Sequence, residues 1–135
     1  MELTVAEARA RLREHANPER AAHSARYFKT GPGEYAEGDI FLGVPVPDVR
    51  RLARRYRTAS RPVVLELLRS AVHEERLLAL LIMVEQFRRG DEAQRRQIVE
   101  DYVANRRWVN NWDLVDSSAP TILGAYLFGR DRTLL

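Results

Sequence analysis

The chain has 135 residues, 45% hydrophobic and 30% charged, with a net charge of +3; this is enough to bury one compact core. A mean hydropathy of −0.40 and a longest apolar run of only Leu77 to Val84, flanked by Glu75, Arg76 and Glu85, fall well short of the ~18 apolar residues a membrane span needs. There is no cysteine, so disulfides and thiolate metal sites are excluded, and the cytoplasm is the default location.

Every basic residue except Lys29 is arginine. The guanidinium fork suits phosphate oxygens, although a GC-rich genome gives the same bias. Glu2, Glu7 and Arg9 stand where a signal peptide would need an apolar stretch.

Read in chain order, most of the sequence has helical period. Thr4-Val5-Ala6-Glu7 reads as a capping box opening a helix with Val5, Ala8 and Leu12 on one side. Asn17-Pro18 ends that helix and starts the next, which runs to about Phe28. An irregular segment follows from Lys29 to Pro47, punctuated by Gly31, Gly33, Gly38, Gly43, Pro45 and Pro47. A loop of that length in a small domain is usually functional or mobile, and Ile40-Phe41-Leu42 is expected to tuck into the core.

The third helix, from about Pro47 to Tyr56, has Val49, Leu52, Ala53 and Tyr56 at i, i+3, i+4 and i+7, one buried stripe. Arg50, Arg51, Arg54, Arg55 and Arg57 fill the remainder with only Asp48 beside them. Unpaired arginines on one helix point to an anionic partner; the competing reading is a solvated face.

Pro62 opens a short helix to about Arg69. The fifth helix, His73 to Arg89, is apolar almost all round and so belongs at the centre, with Leu78, Leu81 and Ile82 buried. Gly90 ends it and Asp91 caps a sixth, which turns Ile98, Val99, Tyr102 and Val103 inward. The chain breaks helix at Asn105 to Asn111, resumes with Asn111 as cap, and begins a last helix at Pro120, running from Thr121 to Phe128 with Leu123 buried. More than half the residues should be helical, with no β-sheet. The expected fold is all-α, a helical-repeat solenoid of antiparallel pairs in one domain. The closing Leu134-Leu135 resembles the start of a further helix, so the chain reads as truncated, or as capped by a partner or a second copy.

The segment Arg106-Arg107-Trp108-Val109-Asn110-Asn111-Trp112-Asp113-Leu114-Val115-Asp116 stands out as the candidate site. Trp112 and Asp116 stand at i and i+4 and share a helix face. An indole attracts a cation by roughly 0.5–2 kcal/mol and a carboxylate adds a counter-charge. The alternative is a core tryptophan with an aspartate at the rim. His15, His23 and His73 have no metal-ligand spacing, so neither metal nor cofactor is expected.

Three stretches carry a family resemblance: Asn17-Pro18-Glu19 through Ala25-Arg26-Tyr27; Phe41-Leu42-Gly43-Val44 with Pro47 and the Arg50–Leu52 region; and Trp112-Asp113-Leu114-Val115-Asp116 with Pro120-Thr121 and Leu123-Gly124. Together they resemble the DNA alkylation repair family, the AlkD-like 3-methyladenine and 7-methylguanine DNA glycosylases built from HEAT-like repeats. The likeness spans the whole chain and the first half to two-thirds of a typical member.

It implies excision of cationic alkylpurines from duplex DNA. Asp116 would be the catalytic carboxylate, Trp112 would contact the lesion nucleotide, and Tyr27 would lie against the DNA. Arg50, Arg54 and Arg57, with Arg106 and Arg107, are the candidate backbone-binding residues. The family's downstream arginine and second tryptophan fall in helices not present here, so this chain by itself is expected to be weak or inactive. Pro45 and Val46 stand where members often carry phosphate-binding polar residues, and the insert Gly31 to Gly38 is longer than in compact members. The alternative function is a non-catalytic HEAT-like module binding DNA or protein.

Overall fold

A computed structural model describes residues 3–27, 39–109 and 112–124. Among the described residues there are seven α-helices: α1 (Val5–Glu14), α2 (Pro18–Tyr27), α3 (Val46–Arg55), α4 (Arg61–Leu68), α5 (His73–Arg89), α6 (Glu92–Ala104) and α7 (Trp112–Ala119). A 3-10 turn, Arg106–Trp108, joins α6 to α7, and a π-helical turn, Pro120–Gly124, follows α7. The only extended pairing among the described residues is an isolated parallel bridge between Ile40 and Val72. The chain is all-α.

Helix α5 organises the rest. Leu77 through Val84 are all buried, because neighbours surround this helix: α3, α4, α6, α7 and α1 all pack against it. The stripe expected on α3 is present, with Val49, Leu52 and Ala53 buried and Tyr56 half-buried at its end. Leu78, Leu81, Ile82 and Val99 are buried; Leu123 is only partly so, lying against the edge of the core.

Local signals set the helix ends. Asp91 accepts from the Gln94 N–H and Gln94 returns the bond to the Asp91 N–H, a complete capping box. At α1 the box is half made. Thr4 accepts from the Glu7 N–H, but the Glu7 carboxylate takes the Tyr56 hydroxyl instead. Asn17 Oδ1 accepts from the N–H groups of Glu19 and Arg20, as expected of a cap.

The first turn of α5 contradicts its charged sequence, since His73, Glu74, Glu75 and Arg76 are all buried. The Glu74 carboxylate accepts from the N–H groups of Leu42, Gly43 and Val44 at 3.0, 2.8 and 3.2 Å. Glu75 holds Arg9 of α1 at 3.0 Å, and Arg76 pairs with Asp39 at 2.7 Å. Buried charges must be paired, and here each partner is an upstream segment.

Gly43 is required where that segment crosses α2. Its φ is +80°, and an added Cβ would fall on the Asn17 carbonyl oxygen and 2.7 Å from the Ala21 nitrogen. The expectation for Ile40-Phe41-Leu42 holds only in part. Leu42 packs on the core and Phe41 stacks on His73 with centroids 4.6 Å apart, but Ile40 is exposed. The bridge to Val72 fixes its backbone, and alternation along extended chain then turns its side chain outward. The glycine-rich stretch from Lys29 to Gly38, the cap at Asn111 and the helix expected beyond Gly124 lie outside the described residues.

Candidate nucleic-acid interface

Helix α3 begins with Pro45 at its cap and Pro47 in its first turn, so no side chain caps it. Asp48 occupies the first turn, where the helix dipole favours a negative charge. It also pairs with Arg51 one turn on and lies 3.8 Å from His15. The reading of five unpaired arginines is therefore corrected: Arg51 is neutralised by its i−3 neighbour. Among the described residues no carboxylate is in ion-pair contact with Arg50, Arg54, Arg55 or Arg57.

These remaining arginines are not equivalent. Arg50 and Arg54 stand at i and i+4 on one face of α3, and Arg57 follows in the turn just beyond the helix end. Arg50 and Arg54 are exposed. Arg57, half-buried, donates from Nη1 to the Arg54 carbonyl at 2.8 Å. Arg55 leans over the Tyr56 ring, 5.2 Å from its centroid.

A second cationic pair precedes α7. Arg106 is exposed and donates to the Val103 carbonyl at 2.8 Å. Arg107 lies over the Trp108 ring at 5.0 Å. The 3-10 turn thus presents two guanidinium groups immediately before the tryptophan–aspartate helix.

Helix α7 is held by its inner face. Leu114 and Ser118, one turn apart, are fully buried. Ser118 Oγ donates to the Leu114 carbonyl at 2.6 Å, which leaves it to accept from the Tyr102 hydroxyl of α6 at 2.9 Å. Burial pushes the Tyr102 phenol above its usual range, with the Ser118 bond pulling the other way. Positions 112 and 116 fall two residues from Leu114 and Ser118, about 200° around the helix, and so share a face on the other side of α7. The side chains of Trp112, Asp116 and Tyr27 lie outside the described residues.

Sequence reasoning missed the polar contacts that link α4 and α6. Arg61 grips Asp101 with two bonds of 2.8 and 2.7 Å, which raises the arginine above its already high ordinary pKa. Arg69 donates to Asn105 at 2.8 Å, and Asn105 donates in turn to the Asp101 carbonyl. The available signal was the spacing: arginines two turns apart on α4 oppose an i, i+4 pair on α6. No helix among the described residues is long and apolar enough to cross a membrane, and no group of His, Asp and Glu among them could hold a metal.

Fold and surface together define an all-helical protein with a cationic helix face. The family model of the DNA alkylation repair enzymes matches residues 8–135. The chain belongs to that family, and its role lies in the repair of alkylated DNA. Neither the curated proteins nor the solved structures gave a match.

Proposed function

We propose that the protein is a DNA glycosylase that removes cationic alkylated purines, 3-methyladenine and 7-methylguanine, from duplex DNA. One observation carries the reading: in a chain of this family, α7 is pinned by Leu114 and Ser118, and positions 112 and 116 occupy its other face. The succession of α3, α5 and α7, with α4 and α6 packed on α5, supports a HEAT-like stack.

The chemistry asks little of the protein. An N3- or N7-alkylated purine already carries positive charge. When its N-glycosidic bond breaks, the electron pair goes to the base nitrogen and the base leaves neutral, without a general acid. Positive charge moves to the deoxyribose, where the Asp116 carboxylate stabilises it, as carboxylates do in glycosidases. Water then adds at C1′ and gives up a proton. Trp112 offers its ring face to the cationic lesion nucleotide, Tyr27 lies against the DNA, and Arg50, Arg54, Arg57, Arg106 and Arg107 hold backbone phosphates.

A second reading, a non-catalytic DNA-binding module, is favoured by the start of α3. There Pro45 and Val46 supply no polar side chain to a phosphate. Single-turnover release of 7-methylguanine from methylated duplex separates the two. Asp116→Asn keeps size and hydrogen-bonding reach and should keep DNA affinity while losing ~10²–10³ in rate, the usual cost of one such electrostatic contact. Equal rates for parent and variant would remove Asp116 from the mechanism, and a parent carrying the family's downstream helices that binds methylated duplex and releases no base would favour the module instead.

A further inference from the structure

The arginine face of α3 does not stop at the end of the helix. Beyond it, the α3–α4 turn and the α5–α6 turn lie side by side around a cleft of about 400 Å³. Arg57, Thr58 and Ala59 line it from one turn, Arg89 and Gly90 from the other, together with Gln86 and Gln94, and no carboxylate forms part of its wall.

The polar groups in this cleft divide into those already occupied and those left over. Gln86 Nε2 donates to the carbonyls of Arg57 and Ala59, and Gln94 is committed to the cap of α6. Helix C-termini normally repel anions, but here several terminal carbonyls are taken. Arg57 covers that of Arg54, and Arg95 covers those of Phe87 and Arg88 at 2.9 and 3.3 Å. What is left is cationic. Arg89 is exposed and makes no ion pair among the described residues, and Arg57 Nε is buried without a hydrogen-bond partner. A buried donor without an acceptor is costly in a finished protein, and a small outward turn of the Arg57 side chain towards an oxygen anion in the cleft would relieve it.

Gly90 lets α5 pass tightly into the first turn of α6. A Cβ there would come within 2.9 Å of the Gln86 carbonyl oxygen and 3.0 Å of the Gln94 side chain.

We propose that this cleft is a further phosphate seat for the duplex backbone, in which Arg89 and Arg57 take one phosphate and extend the Arg50–Arg54–Arg57 face across to α5. The proposal rests on the DNA-binding reading above and adds Arg89 and the paired turns to it.

The test is the salt dependence of binding to unmodified duplex. Each phosphate contact contributes a slope of about −0.9 in log K against log[salt]. Arg89→Ser, a surface change, should therefore flatten the slope by about 0.9. Over a fourfold rise in salt the variant would lose about 3.5-fold less affinity than the parent. Arg96→Ser is the control, since Arg96 is exposed on α6 and paired with Glu100 at 3.4 Å; its slope should match the parent's. A parent slope retained in Arg89→Ser, or flattened equally in Arg96→Ser, overturns the seat and leaves the DNA-binding reading standing. A parent without salt-dependent duplex binding removes both.

Discussion

Glu74 is a residue whose type says surface and whose position says core. Its two oxygens satisfy three successive N–H groups on the segment that leads into α3. Glu74→Ala would leave the buried N–H groups of Gly43 and Val44 unpaired, at ~1–3 kcal/mol each. The expected loss of stability is ~2–5 kcal/mol, read as a lower urea midpoint at unchanged slope. Glu74→Gln keeps one carbonyl oxygen for those two donors and should lose less. An alanine variant as stable as the parent would mean that the segment does not depend on this carboxylate. Sequence gave no hint of the contact, because its partners are backbone groups about thirty residues upstream. A glutamate in the first turn of a helix is ordinarily explained by the dipole alone. Gly43 was visible as a glycine, but the positive φ and the close approach of α2 were not.

At the scale of the element, α3 was the most legible. Its apolar period fixed the buried face, and the arginines fell on the remainder. Arg51 alone departs, drawn to Asp48 by an i, i+3 spacing that the sequence also contained. Replacing Arg50, Arg54 and Arg57 together by Ser should flatten the salt dependence of duplex binding by up to ~2.7, three contacts at about 0.9 each. A triple variant that binds like the parent at every salt concentration would make this face solvated surface only. Helix α7 was legible in another way. The i, i+4 spacing put Trp112 and Asp116 on one face from the start, but the seam opposite them, Tyr102 to Ser118, joins residues that no spacing rule connects.

For the whole molecule, that seam makes stability depend on alkaline pH. Burial raises the Tyr102 pKa above its ordinary value of 10.0, so folding favours the neutral phenol. This contribution is fully present below pH 10 and is lost as pH rises through the folded-state value. Tyr102→Phe should lose about 1 kcal/mol near pH 8 for the missing hydrogen bond. The gap between parent and variant, measured by urea unfolding, should then narrow towards pH 11. A gap that stays constant over that range would show that the phenol does not titrate with unfolding. The all-helical architecture and the central place of α5 were legible because an unbroken apolar run leaves a helix no solvent side. The docking of the upstream chain onto it was not, because Glu74, Glu75 and Arg76 bind residues of the 39–44 stretch and of α1 that no spacing rule connects to them. Those three adjacent side chains also specify the rotational register of α5. An α-helix advances about 100° per residue, so a slip of one position would carry all three away from the 42–44 segment, α1 and Asp39 at once. The entry of α5 is thus indexed like a key in a lock with three wards, whereas its exit at Gly90 is set by the capping box of the helix that follows.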